Sequence, residues 1–345
     1  MKGTVTLRFR GPGKKTPELP TIEGYHLIEP WRNTNSGNAR WSFASKDGKD
    51  YFIKEFLSPV FPEKGVLSPA MEEAKRRICF AYFKKKRALY DRILDSATGN
   101  LVLIHQFFLC GTKYYITTDK IEQCNITAEK VVDVSEDKKH LLLKILAFSL
   151  AKLHDNNVVH ADLKPTNVLI KLSETGKIVA KIIDFDGSYI EGEQPGPDEV
   201  QGDQIYFAPE TCRYVFGEDV KLTTKVDVFA CGLLFHLYLA GTLPEIPKGF
   251  DYVYEALLDG EEIRISPKVP EAYAKLIKSM LALNPEDRPN MTQVLNALKA
   301  MDAASEPPKP LPPEDEQTKA TEKPPEKPED KGKGSLWKKP LRTGF

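Results

Sequence analysis

His160-Ala-Asp-Leu-Lys-Pro-Thr-Asn167 is the most informative stretch of this sequence, because it places an aspartate, a lysine and an asparagine close together after an amphipathic helical pattern. Seventeen residues after Asn167 comes Asp184, in Ile183-Asp-Phe-Asp-Gly187 at the end of the apolar run Ile178–Ile183, which predicts a strand. Carboxylates and an amide that meet at a strand end suit a divalent cation bridging phosphate oxygens. A carboxylate left over from such a site could accept a proton from a hydroxyl group.

A single lysine stands in another apolar strand pattern, Tyr51-Phe-Ile-Lys54. Burying its ammonium group is costly unless a partner compensates the charge, and a phosphate and a carboxylate are both suitable partners. The sequence therefore predicts that Lys54 lies beside groups of this kind.

These segments resemble the motifs of the protein kinase superfamily, and on them the chain is identified as a member over roughly residues 22–300. His160–Asn167 resembles the catalytic loop H-R-D-L-x-x-x-N, Asp184-Phe-Asp186 resembles D-F-G, Tyr51–Lys54 resembles V-A-I-K, and Ala208-Pro-Glu210 is an intact A-P-E. Their order matches the family's, with 108 residues from Lys54 to Asp162, 22 from Asp162 to Asp184 and 26 from Asp184 to Glu210.

The resemblance implies an ATP- and Mg²⁺-dependent kinase that phosphorylates serine or threonine hydroxyls of protein substrates. Lys54 is expected to hold the α- and β-phosphates, and Asp162 to accept the proton of the substrate hydroxyl as the catalytic base. Asn167 and Asp184 are expected to hold Mg²⁺. Lys164 resembles the lysine that contacts the transferred phosphate in serine/threonine kinases, and it favours that class over tyrosine kinases.

The nucleotide pocket departs from the family pattern at its glycine-rich loop. Alignment puts Thr34, Ser36 and Ala39 at the glycine positions and leaves Gly37 inside the turn Asn35–Asn38. Small residues let backbone amides approach phosphates, but less freely than glycine does; the alternative is an ordinary β-turn. The nucleotide contacts implied for this loop, the gatekeeper and the hinge are Ser36, Gly37, Asn38, Thr118, Asp119 and Ile121.

The helix glutamate that pairs with the cleft lysine in this family has no clear counterpart. A helical pattern runs from Pro69 to about Leu94, with an apolar face predicted at Met71, Ile78, Tyr82, Leu89 and Ile93. Its only glutamates, Glu72 and Glu73, lie near its start. We choose Glu73 as the partner of Lys54. The alternative is a solvated carboxylate in the first turn, stabilised by the helix dipole.

Three further residues depart from the family pattern. Ala161 replaces the arginine that binds a phosphorylated activation loop, so we expect activity without loop phosphorylation. Asp186 replaces the glycine of D-F-G, and either stiffens the turn or also serves as a metal ligand. Asp203 replaces a threonine and is expected to pair with Lys164.

Other residues match positions with structural roles. Asp227 resembles the buried helix aspartate that holds the catalytic-loop backbone. Glu210 and Arg288 resemble an ion pair that ties the activation segment to the helical lobe. His160 and Phe185 are expected to pack behind the site.

The expected fold is α+β and bilobal, with a small antiparallel β-sheet N-lobe carrying one long helix and a larger, mainly helical C-lobe. We predict an N-terminal extension with a short strand (1–21), a kinase domain (22–302; N-lobe 22–121, C-lobe 122–302) and a disordered tail (303–345) rich in Pro, Lys and Glu. The expected N-lobe strands are Tyr25–Ile28, Arg40–Ala44, Asp50–Phe56, Leu101–Phe108 and Lys113–Thr118, and the expected C-lobe helices are Leu141–His154, Val226–Leu239, Tyr273–Leu283 and Thr292–Met301.

Composition argues against several classes of protein. The 345 residues carry a formal net charge of zero, so no overall field favours nucleic acid or an anionic membrane. Five scattered cysteines indicate a reducing compartment rather than a disulfide framework or a zinc site. No apolar run reaches the roughly 18 residues of a bilayer span. We therefore expect a cytoplasmic protein without a nucleic-acid partner. The departures from the family pattern and the lack of a membrane segment resemble a bacterial kinase more than a receptor kinase.

Two other functions share much of this pattern. A pseudokinase scaffold would bind nucleotide or a partner without efficient phosphotransfer, and the poor glycine-rich loop, Asp186 and Asp203 favour it. A small-molecule kinase of similar fold is the second, and Asp227 and Arg288 argue against it. The end of the tail, Ser335–Phe345, regains apolar residues; it is either a random end or a docking peptide for a partner.

Overall fold

The computed structural model describes residues 19–33, 39–121 and 126–305. The predicted nucleotide contacts Ser36, Gly37 and Asn38, most of the N-terminal extension and most of the predicted tail lie outside the described residues. Within them, a sheet-rich part precedes a mainly helical part. This order confirms the expected bilobal α+β fold.

The N-lobe is built on a six-stranded antiparallel sheet with the order β1-β2-β3-β4-β6-β5. Its strands are β1 Thr21–Ile22, β2 Tyr25–Leu27, β3 Ala39–Lys46, β4 Lys49–Phe56, β5 Ile104–Cys110 and β6 Lys113–Asp119. The register pairs Phe43 with Phe52 and Trp41 with Lys54. Because paired residues share one face of a sheet, the three aromatic rings and the lysine lie on the same side.

Helix α1, Pro69–Asp95, lies between β4 and β5 in the chain. Ser68 caps its start by accepting a hydrogen bond from the Met71 N–H (3.4 Å), and Pro69 occupies the first turn. The predicted helix is confirmed, but its predicted apolar face is wrong for Met71 and Ile78, which are 56% and 62% exposed. Burial begins at Cys79, whose carbonyl accepts a hydrogen bond from the Tyr114 hydroxyl (3.0 Å), so the first turns project beyond the sheet.

The C-lobe surrounds one buried helix. Its elements are α2 Glu136–Asp155, β7 Val158–Val159, β8 Val168–Leu172, β9 Ile178–Ile182, β10 Tyr189–Ile190, α3 Pro209–Val215, α4 Lys225–Ala240, α5 Val253–Leu258, α6 Glu271–Met280 and α7 Met291–Ser305. Helix α4 is buried on almost every side, as its apolar sequence predicts, and α2 packs against both α4 and α7. Helix α7 continues to Ser305, three residues into the segment predicted as tail.

The two lobes are joined by hydrogen bonds beside β9. The Val102 N–H donates to the Ile182 carbonyl (3.0 Å), and the Ile182 N–H donates to the Asn100 carbonyl (2.9 Å). The strand predicted from Leu101 therefore joins the N-lobe sheet only at Ile104, because the preceding residues pair with β9 instead. This arrangement places the end of β9 at the base of the interlobe cleft. Among the described helices, none is both long and apolar enough to cross a bilayer.

Candidate active site

The loop between β7 and β8 gathers three of the predicted catalytic residues. The Asp162 carboxylate accepts hydrogen bonds from Lys164 Nζ (2.9 Å) and Asn167 Nδ2 (3.0 Å) through the same oxygen, Oδ2. Asn167 also donates to the Asp162 carbonyl (2.8 Å), and its side chain is buried. Two donors thus fix the orientation of one carboxylate at the cleft.

Asp227 of α4 holds the backbone of this loop. Its carboxylate accepts hydrogen bonds from the N–H groups of His160 (2.7 Å, to Oδ2) and Ala161 (2.8 Å, to Oδ1), and His154 Nε2 lies 3.0 Å from Oδ2. Ala161 has a φ of +67°, a conformation that costs free energy in a residue with a Cβ. The predicted structural role of Asp227 is therefore confirmed.

The activation segment, which runs from Asp184 to Glu210, passes close to the catalytic loop at Gly202. This residue has a φ of +142°, and an added Cβ would lie 2.8 Å from a ring carbon of Phe207 and 3.1 Å from the Ala161 carbonyl oxygen. Only glycine fits there without displacement of a neighbour. The close approach lets the next N–H, that of Asp203, donate to Asp162 Oδ1 (3.2 Å).

The predicted ion pair between Asp203 and Lys164 does not form. The Asp203 carboxylate accepts a hydrogen bond from the Ile205 N–H (3.1 Å) and so caps the short turn that follows it. Lys164 donates to Asp162 instead. Asp203 thus binds the backbone N–H of Ile205, two residues away, rather than the more distant side chain of Lys164.

Asp184 follows β9 with a φ of +64°. The ring of the next residue, Phe185, packs 5.1 Å from that of His160 between centroids. His160 Nδ1 accepts a hydrogen bond from the Asp162 N–H (3.3 Å), so its Nε2–H donates to the Ile183 carbonyl (3.1 Å). The predicted packing of His160 and Phe185 behind the site is confirmed, and it ties the two acidic loops together.

Lys54 reaches the same place from strand β4. Its Nζ lies 3.1 Å from Asp184 Oδ1 and 2.5 Å from Asp186 Oδ2. Burial lowers the pKa of Lys54, but the Asp186 and Asp184 carboxylates outweigh it and leave the pKa above its ordinary value. Lys54 thus has carboxylate partners, as predicted, but Asp184 and Asp186 supply them and Glu73 does not.

Glu73 lies apart from Lys54. It pairs with Arg77 one turn along α1 (3.1 Å), and its side chain is 60% exposed. Glu72 pairs in the same way with Arg76 (2.6 Å). The assignment of Glu73 as the partner of Lys54 is therefore wrong, because both glutamates lie in the first turns of the helix and pair with arginines one turn further along.

A cavity of about 240 Å³ opens in front of Lys54. Thr118, Asp119 and Ile121 line one wall of it, as predicted for the gatekeeper and hinge, and Leu169 lies among its other lining residues. The Asp119 carboxylate accepts hydrogen bonds from Lys49 (2.7 Å) and His105 (2.9 Å), and these partners, Lys49 above all, lower its pKa. The wall is therefore mainly apolar where it meets the cavity.

An aromatic cluster in the lining of the cavity is a feature that sequence reasoning missed. The rings of Trp41 and Phe52 are stacked at 5.6 Å between centroids, and Phe43 meets them edge-on at 5.7 and 6.2 Å. Phe52 stands where the V-A-I-K motif has alanine. The alternation of Trp41 and Phe43 in the sequence places both rings on one face of β3. Only the register of β3 and β4 shows that Phe52 lies on the same face.

Comparison with known families agrees with this geometry. The family model for the protein kinase domain matches residues 92–298, which is more than half of the chain. The chain belongs to the protein kinase domain family. The matched range includes the catalytic loop, Asp184 and the A-P-E segment, and begins after the strands that carry Trp41 and Lys54. The least typical part of this kinase is therefore its N-lobe.

Several curated relatives carry similar kinase segments. The DNA damage response protein kinase DUN1 of Saccharomyces cerevisiae is 27% identical over 53% of this chain and 39% of its own length. The ovarian-specific serine/threonine-protein kinase Lok of Drosophila melanogaster is 29% identical over 62% of this chain and 47% of its own length. Calcium-dependent protein kinase 26 of Oryza sativa is 29% identical over 45% and 28%. The matches span less than half the length of these relatives.

The ion pair that anchors the activation segment of this kinase is fully buried. Arg288 donates to both carboxylate oxygens of Glu210 (2.7 and 2.8 Å). Its remaining N–H groups donate to the carbonyls of Ala282, Leu283 and Lys225. With every donor satisfied, the pair can form without an uncompensated charge, and the predicted pairing is confirmed.

The side-chain oxygens at the cleft fit a divalent metal ion that arrives with ATP. Within the described ranges no group of three or more His, Cys, Asp or Glu side chains is arranged to hold a metal alone. Mg²⁺ in kinases needs only one or two protein oxygens, because phosphates and water complete its octahedron. Asn167 and Asp184 can supply them. Asp186 Oδ2 lies 2.5 Å from Lys54 Nζ, and its role as a further metal ligand stays a prediction.

Proposed function

We propose that this chain is an ATP- and Mg²⁺-dependent serine/threonine protein kinase with Asp162 as its catalytic base. The observation that carries the proposal is the single cluster of Asp162, Lys164 and Asn167, held by the buried Asp227 next to Asp184. Two of the relatives described above have the words protein kinase in their names, and a third is named a serine/threonine-protein kinase. The third name supports a serine or threonine acceptor here.

In the proposed reaction the residues of the chain position and neutralise groups rather than form covalent bonds. Bound MgATP would supply the phosphoryl group and a concentrated positive charge. Asp162, oriented by Lys164 and Asn167, accepts the proton of the acceptor hydroxyl. The hydroxyl oxygen forms a bond to the γ-phosphorus while the bond between this phosphorus and ADP breaks. The Lys164 ammonium group stands beside Asp162, where it can stabilise the charge of the transferring group.

Lys54 is placed to bind phosphate oxygens of the nucleotide. Its ammonium group is buried and lies between two carboxylates. When Asp184 turns its oxygens to a metal ion, Lys54 can bind phosphate oxygens and keep Asp186 as its partner. Asn167 and Asp184 would hold the ion on the side of the cleft that faces Asp162.

The test is phosphotransfer by the full chain. Protein would be incubated with ATP and Mg²⁺, with and without generic protein acceptors, and phosphorylated sites read by mass spectrometry. We expect phosphoserine or phosphothreonine, with a loss of at least about 10²-fold in Asp162→Asn and in Asp184→Ala. Asp219→Asn, which changes an exposed aspartate, is the matched control. Phosphotransfer that survives in Asp162→Asn would contradict the assignment of the base.

A pseudokinase scaffold remains the second candidate, and the aromatic cluster favours it. Phe52 places a ring in the lining of the cavity where the V-A-I-K motif has alanine, so less room is left there for a bound base. Nucleotide binding measured by calorimetry, without phosphotransfer under the same conditions, would support the scaffold. Binding together with transfer would exclude it.

Two further parts of the proposal concern where the protein acts. We place it in the cytoplasm, on the basis of its scattered cysteines; Cys79, Cys110, Cys212 and Cys231 are free thiols. We also assign the segment Ser335–Phe345 as a docking peptide, because Leu336, Trp337 and Phe345 are apolar in a polar tail. Removal of residues 306–345 should leave activity on a short peptide unchanged and slow the phosphorylation of a docked protein substrate.

A further inference from the structure

The partner of Lys54 lies on the loop after β9 rather than on helix α1. Asp186 Oδ2 is 2.5 Å from Lys54 Nζ, and the two side chains are 18% and 6% exposed. The glutamates of α1 are engaged by arginines of the same helix. A glycine at position 186, as in D-F-G, would offer no side chain to the lysine.

Helix α1 contributes a cation to the same loop. Lys86, on the fifth turn of the helix, donates from Nζ to the backbone carbonyl of Asp186 (2.5 Å). Its side chain crosses from the helix to the segment that follows Asp184, and it is half-buried. The contact spans 100 positions of sequence, so it fixes tertiary rather than local structure.

The cluster holds two lysines, Lys54 and Lys86, and two aspartates, Asp184 and Asp186. Burial lowers the pKa of Lys86 and raises the pKa of Asp186, so each charged form depends on its oppositely charged neighbours. Removal of the Asp186 carboxylate would leave two ammonium groups with one carboxylate, and that carboxylate is a predicted metal ligand. Uncompensated charge at a buried site is far more costly than at the surface.

We propose that Asp186 is the positioning residue for Lys54, in place of a helix carboxylate, and that Lys86 ties α1 to Asp186 so that helix and lysine are held through one residue. The inference rests on the proposed function only for its catalytic consequence. In the family pattern the carboxylate that pairs with the cleft lysine stands on the helix. Here the loop carries that carboxylate, at Asp186, and the helix carries a lysine, Lys86.

The test begins with variants that keep the size of each side chain. Asp186→Asn and Lys86→Met would be compared with Lys84→Met, an exposed lysine on the same helix. We expect Asp186→Asn and Lys86→Met to lower the melting temperature by about 5 °C and to weaken MgATP binding about tenfold, while Lys84→Met changes neither. Melting curves and calorimetry give these readouts without phosphotransfer. A failure of the wild-type protein to transfer phosphate would contradict the proposed function and leave this test intact.

A transposition of the charges separates positioning from simple loss of packing. Lys86→Glu alone places a carboxylate beside the Asp186 carbonyl oxygen, and Asp186→Gly alone removes the carboxylate that contacts Lys54. The double variant Lys86→Glu/Asp186→Gly returns a carboxylate to helix α1, next to the loop that Lys54 contacts. We expect it to be more stable, and to bind MgATP more tightly, than either single variant. Losses in the double variant that equal the sum of the single losses overturn the proposal. So does an Asp186→Asn protein that is indistinguishable from Lys84→Met.

Discussion

Asp227 holds Ala161 in a left-handed conformation. Its carboxylate accepts the Ala161 N–H at 2.8 Å, and Ala161 keeps a φ of +67° directly before the proposed base. Strain of this kind persists only where surrounding contacts over-determine it. The buried aspartate on α4 is therefore part of the apparatus that points Asp162 into the cleft.

Asp227→Ala should unfold more easily and also lose activity. It leaves the N–H groups of His160 and Ala161 without their acceptor, at about 1–3 kcal/mol for each buried donor. We expect the free energy of unfolding in urea to fall by about 3–5 kcal/mol. Asp219→Asn is the exposed control. A change below about 0.5 kcal/mol would show that the loop does not depend on this contact.

The Glu210–Arg288 pair should behave as a unit. Either single variant, Glu210→Gln or Arg288→Met, leaves a buried partner without its counterpart, and a loss of about 3–5 kcal/mol is expected. In the double variant no charge is left unpaired, so the combined loss should be smaller than the sum by about 0.5–3 kcal/mol. Urea unfolding of the four proteins measures this coupling. Strict additivity would contradict it.

The sequence predicts the polar residues of the site well but predicts their partners poorly. Asp162, Lys164 and Asn167 are close together in the chain, so one loop brings them together wherever it lies. The partner of Lys54 depends on which distant segment approaches it, and Glu73 was chosen because Glu72 and Glu73 are the only glutamates of the predicted helix. Asp186 was singled out as unusual, but nothing in its position along the chain shows that its carboxylate turns towards β4.

The errors on helix α1 and the missed aromatic cluster have a similar cause. Met71 and Ile78 fit the helical period, but a period does not tell where a helix stops touching its neighbours. Trp41 and Phe52 meet only because of the β3–β4 register. Helix α4, by contrast, is apolar on almost every side, so its burial could be predicted without knowing which segments pack against it.

Activity should not depend on phosphorylation of the activation segment. Ala161 offers no guanidinium group to bind a phosphate there. Ser188 and Tyr189 are buried, and the Ser188 hydroxyl donates to the His160 carbonyl (2.9 Å). We expect phosphatase-treated protein, verified by intact mass, to keep its activity on added protein acceptors. Because the Ser188 hydroxyl holds the catalytic loop, Tyr189→Phe is a cleaner variant than Ser188→Ala. A large loss after phosphatase treatment would refute the prediction.

Nucleotide binding should change the fluorescence of Trp41. Its indole ring lines the cavity in front of Lys54, whereas Trp31 packs near Tyr115 at 6.4 Å between centroids. We expect titration with MgATP to quench the tryptophan emission, because a base entering the cavity stacks against the Trp41–Phe52 pair. The quenching should disappear in Trp41→Phe and persist in Trp31→Phe. The opposite pattern would place the bound base elsewhere.

Stability should fall in mild acid because of His236. Its Nε2 accepts a hydrogen bond from the Ser266 N–H (3.0 Å), and its Nδ1–H donates to the Thr242 carbonyl (2.6 Å), so the folded protein holds the neutral ring. Burial lowers the pKa of His236 below its ordinary value of 6.5. Below pH 6.5 the histidine becomes protonated in the unfolded chain but stays neutral in the folded chain. The stabilisation that is present above this pH is therefore lost as the pH falls towards the lower pKa of the folded state.

Melting temperatures between pH 8 and pH 5 test this linkage directly. The wild type should lose stability over the acid half of the range, and His236→Gln, which cannot gain that charge, should lose less over the same interval. His26→Gln changes an exposed histidine and should follow the wild type. Curves for wild type and His236→Gln that run parallel through pH 6.5 would show that another group governs the acid response.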